Sequence, residues 1–164
     1  MSAKLLDGCV VARRITEGLP HPPRLRLAII RGAEDEASAQ YRRAKLKACR
    51  EAGIETVVLE IGELEEAARD REVDAIIVEL PLPPGIKEST VLAALPPAKD
   101  AEGVSPVNFG RLMMARRWED LAGLPLPCTA SAVIQILRGN DIPIEGREAV
   151  VVGRSNIVGK PAAH

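Results

Sequence analysis

The chain has 164 residues, 46% hydrophobic and 27% charged, with a formal net charge of -1, which fits one globular domain or two small ones and excludes a disordered segment. Tyr41, Phe109 and Trp118 are its only aromatic residues and basic charge is not in excess, so neither a stacking platform nor a positive field for nucleic acid is present. Cys9, Cys49 and Cys128 are odd in number and outside any C-x-x-C spacing; this indicates neither a disulfide framework nor a zinc site and points to reduced thiols in a cytoplasmic protein, with no targeting or membrane-spanning segment expected.

In chain order, apolar residues at Val10, Val11, Ile15 and Leu19 predict a short leading helix over Cys9 to Leu19, stopped by Pro20, Pro22 and Pro23. Leu25 to Ile30 reads as a strand, and Arg31 to Glu36 as a polar loop containing Gly32. Glu36 to Ala52 carries the strongest helical pattern, with Ala37, Tyr41, Ala44, Ala48 and Cys49 on one side and Gly53 placed to end it. Ile54 to Ile61 is a second strand and Glu63 to Arg71 a short charged helix. Val73 to Leu80 is a third strand, running into the prolines of Pro81-Leu82-Pro83-Pro84-Gly85.

Beyond it, Glu88 to Leu95 reads as a helix, Pro96 to Gly103 as a charged loop, and Ser105 to Trp118 as irregular and then helical. A composition shift over Leu121 to Pro127 marks a linker, and Thr129 or Ser131 can cap a helix that Gly139 ends. Alternating strands and helices predict an α/β class. The division is an N-terminal three-layer α/β domain over residues 1–120 and the beginning of a Rossmann-like domain over 121–164.

The second unit is organised by Ala149-Val150-Val151-Val152-Gly153-Arg154-Ser155-Asn156-Ile157-Val158-Gly159-Lys160-Pro161. This reads as a buried strand, a glycine turn and a helix start, where backbone amides and the helix dipole receive a phosphate. Its G-x-x-x-x-x-G spacing is not the dinucleotide fingerprint G-x-G-x-x-G, so an ordinary strand-to-helix turn remains the plain alternative.

Three further segments can carry chemistry. Tyr41 and Lys45, four apart, lie one above the other on a helical face with Ser38 a turn earlier. A phenol and an amine so placed can tune each other and move protons, the plain alternative being a solvated face with the tyrosine packed inward. The same Tyr-Lys spacing occurs in short-chain dehydrogenases, but there it follows the nucleotide loop, and here it precedes it by more than a hundred residues. Glu79 ends a strand toward the presumed cleft, and Lys99-Asp100-Ala101-Glu102-Gly103 sets two carboxylates near a turn. Either could be no more than a solvated charge.

Together these segments resemble one family, the bifunctional methylenetetrahydrofolate dehydrogenase/methenyltetrahydrofolate cyclohydrolases. The resemblance runs in order through Ser38-x-x-Tyr41-x-x-x-Lys45-x-Lys47-Ala48-Cys49, Val78-Glu79-Leu80-Pro81-Leu82-Pro83, Lys99-Asp100, Pro106-x-Asn108-x-Gly110, Pro127-Cys128-Thr129 and Gly153 to Pro161. It implies a folate site in the cleft between the two domains, with Lys45 as the catalytic lysine, Tyr41 beside the pterin, and Glu79 at the catalytic position next to them. Val78, Glu79, Leu80 and Glu102 would contact the substrate, and Gly153, Arg154 and Ser155 would hold NADP, with no metal. The implied partners are tetrahydrofolate derivatives and, at full length, a second copy in a homodimer.

The chain departs from the family's pattern in several places. Glu79 stands where glutamine is usual, which would favour a charged, poorly basic Lys45. Glu102 stands where aspartate is usual, Thr129-Ala130-Ser131-Ala132 replaces Thr-Pro-x-Gly, and Gly62 to Glu72 is shorter than typical. The sequence also stops inside the first helix of the expected cofactor domain, so a truncated chain is expected. A non-catalytic folate- or nucleotide-binding module is the other function this pattern allows.

Overall fold

Leu25–Ile30 (β1) lies at the centre of a three-stranded parallel sheet, between Ile54–Leu59 (β2) and Ala75–Val78 (β3). This is a computed structural model, and it describes residues 3–20 and 24–164. The helices are α1 (Gly8–Glu17), α2 (Glu36–Glu51), α3 (Leu64–Arg69), α4 (Glu88–Ala94), α5 (Pro106–Met114), α6 (Cys128–Gly139) and α7 (Gly159–Ala163). Short 3-10 turns occupy Ile61–Glu63 and Trp118–Leu121.

The near-continuous apolar run of β1 follows from burial on both faces of a parallel sheet. Its alternate residues serve opposite layers. Ala28 and Ile30 join Ile76, Val78 and the α3 and α4 residues Leu64, Ala67, Val91 and Leu92. Leu27 and Ile29 pack with Leu46 and Cys49 of α2. The free edge of β3 is covered by the chain after α4, where Ile76 donates to Lys99 O and Ala101 donates to Ile76 O. That cover brings Asp100 and Glu102 to the carboxyl end of the sheet.

Several expectations need correction. The inward side of α2 is offset from the one expected, because Ala37, Tyr41, Ala44 and Ala48 are exposed, whereas Arg42, Lys45 and Leu46 are half-buried and Cys49 is buried. Small alanines fit either face; the sheet's apolar layer selects the stripe that carries Leu46. The leading helix stops at Glu17 with Gly18 as its cap, and Pro22 and Pro23 lie outside the described residues. No irregular stretch precedes α5, because Ser105 caps it directly and Pro106 takes its first turn. In α6 neither Thr129 nor Ser131 is the cap; the helix starts at Cys128 with Pro127 before it.

The largest correction concerns Ala149 to Val152, expected as a buried central strand. It forms no strand, and Val150, Val151 and Val152 are 90%, 40% and 98% exposed. Strand geometry is stabilised by a neighbour's hydrogen bonds, and among the described residues none lies alongside.

The segment joining the two halves is held by Gly103, whose φ is 64°. A Cβ there would fall 2.1 Å from Pro125 O. Gly103→Ala should therefore combine left-handed strain with a backbone collision and cost about 2 kcal/mol or more, read as a lower urea midpoint. An unchanged midpoint would mean that the linker does not rest on this turn.

Candidate active site

A cavity of about 570 Å³ opens where β1 and β3 end, the position at which parallel α/β sheets place ligands. Tyr41 and Lys45 line it from α2, Val78, Glu79 and Leu80 from the end of β3, and Glu102 and Val104 from the following loop. Cys128 and Thr129 close it from the start of α6, and Ile157 reaches it from the glycine turn. Its wall at Gly32 is tight, since a Cβ there would meet Glu79 O at 2.4 Å. Ala33 donates to Pro81 O at 2.7 Å, tying the loop before α2 to the end of β3.

Lys45 and Tyr41 meet as their spacing implies, the Lys45 amine lying 5.3 Å from the centre of the Tyr41 ring. The ring remains 67% exposed, so it can serve as one wall for a flat ligand. Glu79 is not an edge residue in water. It is 8% exposed and shared between two cations, with Arg42 Nε 2.7 Å from Oε2 and Lys45 Nζ 3.4 Å from Oε1. A carboxylate so enclosed requires paired charge. Sequence reasoning missed Arg42, although it stands three residues before Lys45, a spacing that sets both on one helical face.

The two carboxylates of the 99–103 loop divide the work. Asp100, 3% exposed, accepts from the backbone amides of Glu102, Val104 and Ser105 and from Asn108 Nδ2. Asn108 Nδ2 also donates to Pro97 O at 2.8 Å, and Lys99 Nζ donates to Ala67 O and Asp70 O at the end of α3. Lys99-Asp100 and Pro106-x-Asn108 are thus a brace that presents Glu102 to the cavity. Burial pushes the Glu102 carboxyl above the usual range; the Lys45 charge and a hydrogen bond from the Cys128 thiol oppose this, while Asp100 and Glu79 add to it. Glu102 therefore holds its proton to higher pH than an exposed glutamate. Cys128 is exposed overall, yet burial around its thiol, and then the Glu102 charge, push that thiol up as well.

Gly153, Arg154 and Ser155 form an exposed turn outside the cavity lining, which only Ile157 of this segment joins. Gly153 has a φ of 137°, and a Cβ on Gly159 would sit 2.5 Å from Gly153 O. Two glycines are required for the helix to close on the turn. Ser155 Oγ accepts from the amides of Val158 and Gly159, which uses its lone pairs and leaves its O–H free to donate. Arg154 makes no ion pair among the described residues. An accessible turn with a free hydroxyl proton and a guanidinium fits a phosphate group. No group of three or more His, Cys, Asp and Glu side chains is placed to hold a metal ion among the described residues, and no helix there is long and apolar enough to cross a membrane.

Comparison with known proteins gives two consecutive family matches. The family model for the tetrahydrofolate dehydrogenase/cyclohydrolase catalytic domain matches residues 6–102, and that for the NAD(P)-binding domain of the same family matches residues 127–164. Bifunctional protein FolD 1 of Rubrobacter xylanophilus is 41% identical over 98% of this chain and 61% of its own length. The FolD protein of Thermus thermophilus is also 41% identical, over 99% and 61%. The crystal structure of the bifunctional FolD enzyme of Campylobacter jejuni superposes with a TM-score of 0.85 at 32% identity, covering 99% of this chain and 62% of that one. A Trypanosoma brucei enzyme crystallised with NADP and an inhibitor gives 0.79 at 31%, covering 95% and 57%. The chain thus spans about three fifths of the length of these relatives.

Proposed function

The chain belongs to the tetrahydrofolate dehydrogenase/cyclohydrolase family, and on that premise we propose that it oxidises methylenetetrahydrofolate to methenyltetrahydrofolate with NADP and hydrolyses the product to formyltetrahydrofolate, within one-carbon metabolism. The observation that carries this reading is the single cavity gathering Tyr41, Lys45, Val78, Glu79, Leu80 and Glu102 with Ile157 of the glycine turn. Proton-transfer groups and a site for a flat ring share one chamber, with the phosphate turn beside it.

In this reading Lys45 moves the proton at the one-carbon bridge and orients the attacking water, and Tyr41 lies against the pterin. Val78 and Leu80 form the apolar floor, and Glu79 holds the lysine amine in place. Glu102, whose carboxyl burial pushes above the usual range, faces the pterin's ring nitrogens as a hydrogen-bonding group. The dinucleotide, when bound, supplies the hydride acceptor; the chain's own part is orientation and electrostatics. Residues 1–120 are the folate-binding unit and 121–164 the beginning of the cofactor domain. The full-length enzyme works as a homodimer in the cytoplasm.

The test is to mix the protein with methylenetetrahydrofolate and NADP and follow the absorbance of the reduced cofactor. Turnover supports the reading. A folded protein that binds folate without turnover would instead be a binding module, the reading favoured if the enclosed Glu79 leaves Lys45 unable to transfer protons. Reduction should be faster with NADP than with NAD. Arg154→Ala should weaken NADP about tenfold to a hundredfold, the worth of one charged hydrogen bond, and leave NAD affinity unchanged. Equal affinity of the parent protein for both dinucleotides would remove Arg154 from the site.

A further inference from the structure

Arg42 has no place in the cavity lining, yet it makes the shortest contact to Glu79, one of the residues that line it. Arg42 and Lys45 are 13% and 16% exposed around a carboxylate that is 8% exposed. Glu79 Oε2 is taken at 2.7 Å by the guanidinium, and only Oε1, at 3.4 Å, faces the lysine. Arg42 Nη2 is buried with no partner among the described residues. With its Nε donating to Oε2, the guanidinium sets a fixed positive charge against the carboxylate.

We infer that Arg42 is a positioning residue for Lys45: by occupying Oε2 it satisfies the buried carboxylate, so that the lysine is not Glu79's sole counter-ion and its amine stays available to the substrate. The inference rests on the reading of Lys45 as the proton-transfer group. It answers the difficulty that a bare glutamate beside this lysine would raise. A lone carboxylate in a half-buried site holds an ammonium in its charged form, whereas one already paired with a guanidinium does so weakly. The other charged and titratable groups around Lys45 are Tyr41 and Cys49 on its own helix, Glu102 on the loop that Asp100 braces, and Cys128 at the start of α6. Of these, Glu102 is the second acid and interacts with the Lys45 charge as well; Arg42 is paired with Glu79, so it is through Glu79 that Arg42 acts on the lysine.

The test follows the ionisation of Lys45 by NMR of protein carrying carbon-13 lysine, assigned with Lys45→Met, alongside the pH profile of cyclohydrolase turnover. Arg42→Leu should raise both midpoints by about one pH unit, a tenfold change in proton affinity. Adding Glu79→Gln should bring them back down, and Arg42→Lys, which keeps the charge, should leave them near those of the parent. Arg42→Gln, polar but uncharged, replaces leucine if that variant does not fold. Unmoved midpoints in the uncharged variants, or Arg42→Lys moving them as far as leucine does, would overturn the inference. Cyclohydrolase activity surviving in Lys45→Met would overturn the functional reading instead, and the NMR midpoints would still report on Arg42.

Discussion

Lys45→Met should abolish the proposed cyclohydrolase reaction, lowering its rate by about 10³-fold, within the range expected for loss of a positioned proton-transfer group, and leave the proposed NADP binding unchanged. Methionine keeps the length and apolar stem of the side chain, so the packing of α2 beside Leu46 and Cys49 on the sheet is preserved. Glu79 keeps Arg42 at 2.7 Å, so the enclosed carboxylate is not left without a cation and the fold should hold. What is lost is the one amine that lines the cavity beside Tyr41 and Glu79. The phosphate turn at Gly153 to Ser155 lies outside that lining, which separates the two readouts: hydrolysis of methenyltetrahydrofolate should vanish, and titration with NADP should give the parent affinity. Hydrolysis at the parent rate would remove Lys45 from the chemistry, and with it the argument built on the shared cavity.

Asp100→Ala should produce the largest loss of stability, about 3 kcal/mol or more, since removing a buried acceptor leaves each of its donors to bear a desolvation penalty of about 1–3 kcal/mol. Its carboxylate serves the amides of Glu102, Val104 and Ser105 and the Asn108 side chain at 2.9 to 3.2 Å. Alanine would leave four donors facing a void next to Ser105 and Asn108, themselves only 1% exposed. The measurement is the shift in urea midpoint at constant slope. A shift worth less than about 1 kcal/mol, within the ordinary range for surface changes, would mean that water replaces the carboxylate without strain and that the loop does not depend on it. Because Asp100 also fixes the Glu102 amide, the same variant should weaken folate binding in protein that still folds.

Much of the fold follows from local pattern. Leu25 to Ile30 is a strand over the residues its apolar run marks, because a run buried on both faces has few other solutions. The helix over 36–51 is bounded by Asp35, which caps the Ser38 amide, and by Gly53 at φ 73°. Of the candidate site, the Tyr41–Lys45 pair was legible, since a spacing of four sets both on one helix face, whereas Arg42 was not. The segments that went astray are those whose state depends on a neighbour. Ala149 to Val152 has the β-branched composition of a central strand and no strand beside it among the described residues. Ala37, Ala44 and Ala48 of α2 are compatible with burial and lie in solvent.

The sequence by itself determined the parallel α/β order, because helix period and strand alternation act between residues near one another in the chain, and its motifs, taken in order, carried the resemblance to the family. Only the tertiary structure decided what the charges do. Glu79 and Arg42 are 37 residues apart, and no periodicity links them. Their pairing, the bracing role of Asp100 and the proton-holding environment of Glu102 arise where the strand ends, a helix face and a loop converge and exclude water. The strength of a charge interaction is set by that exclusion, which spacing along the chain does not encode.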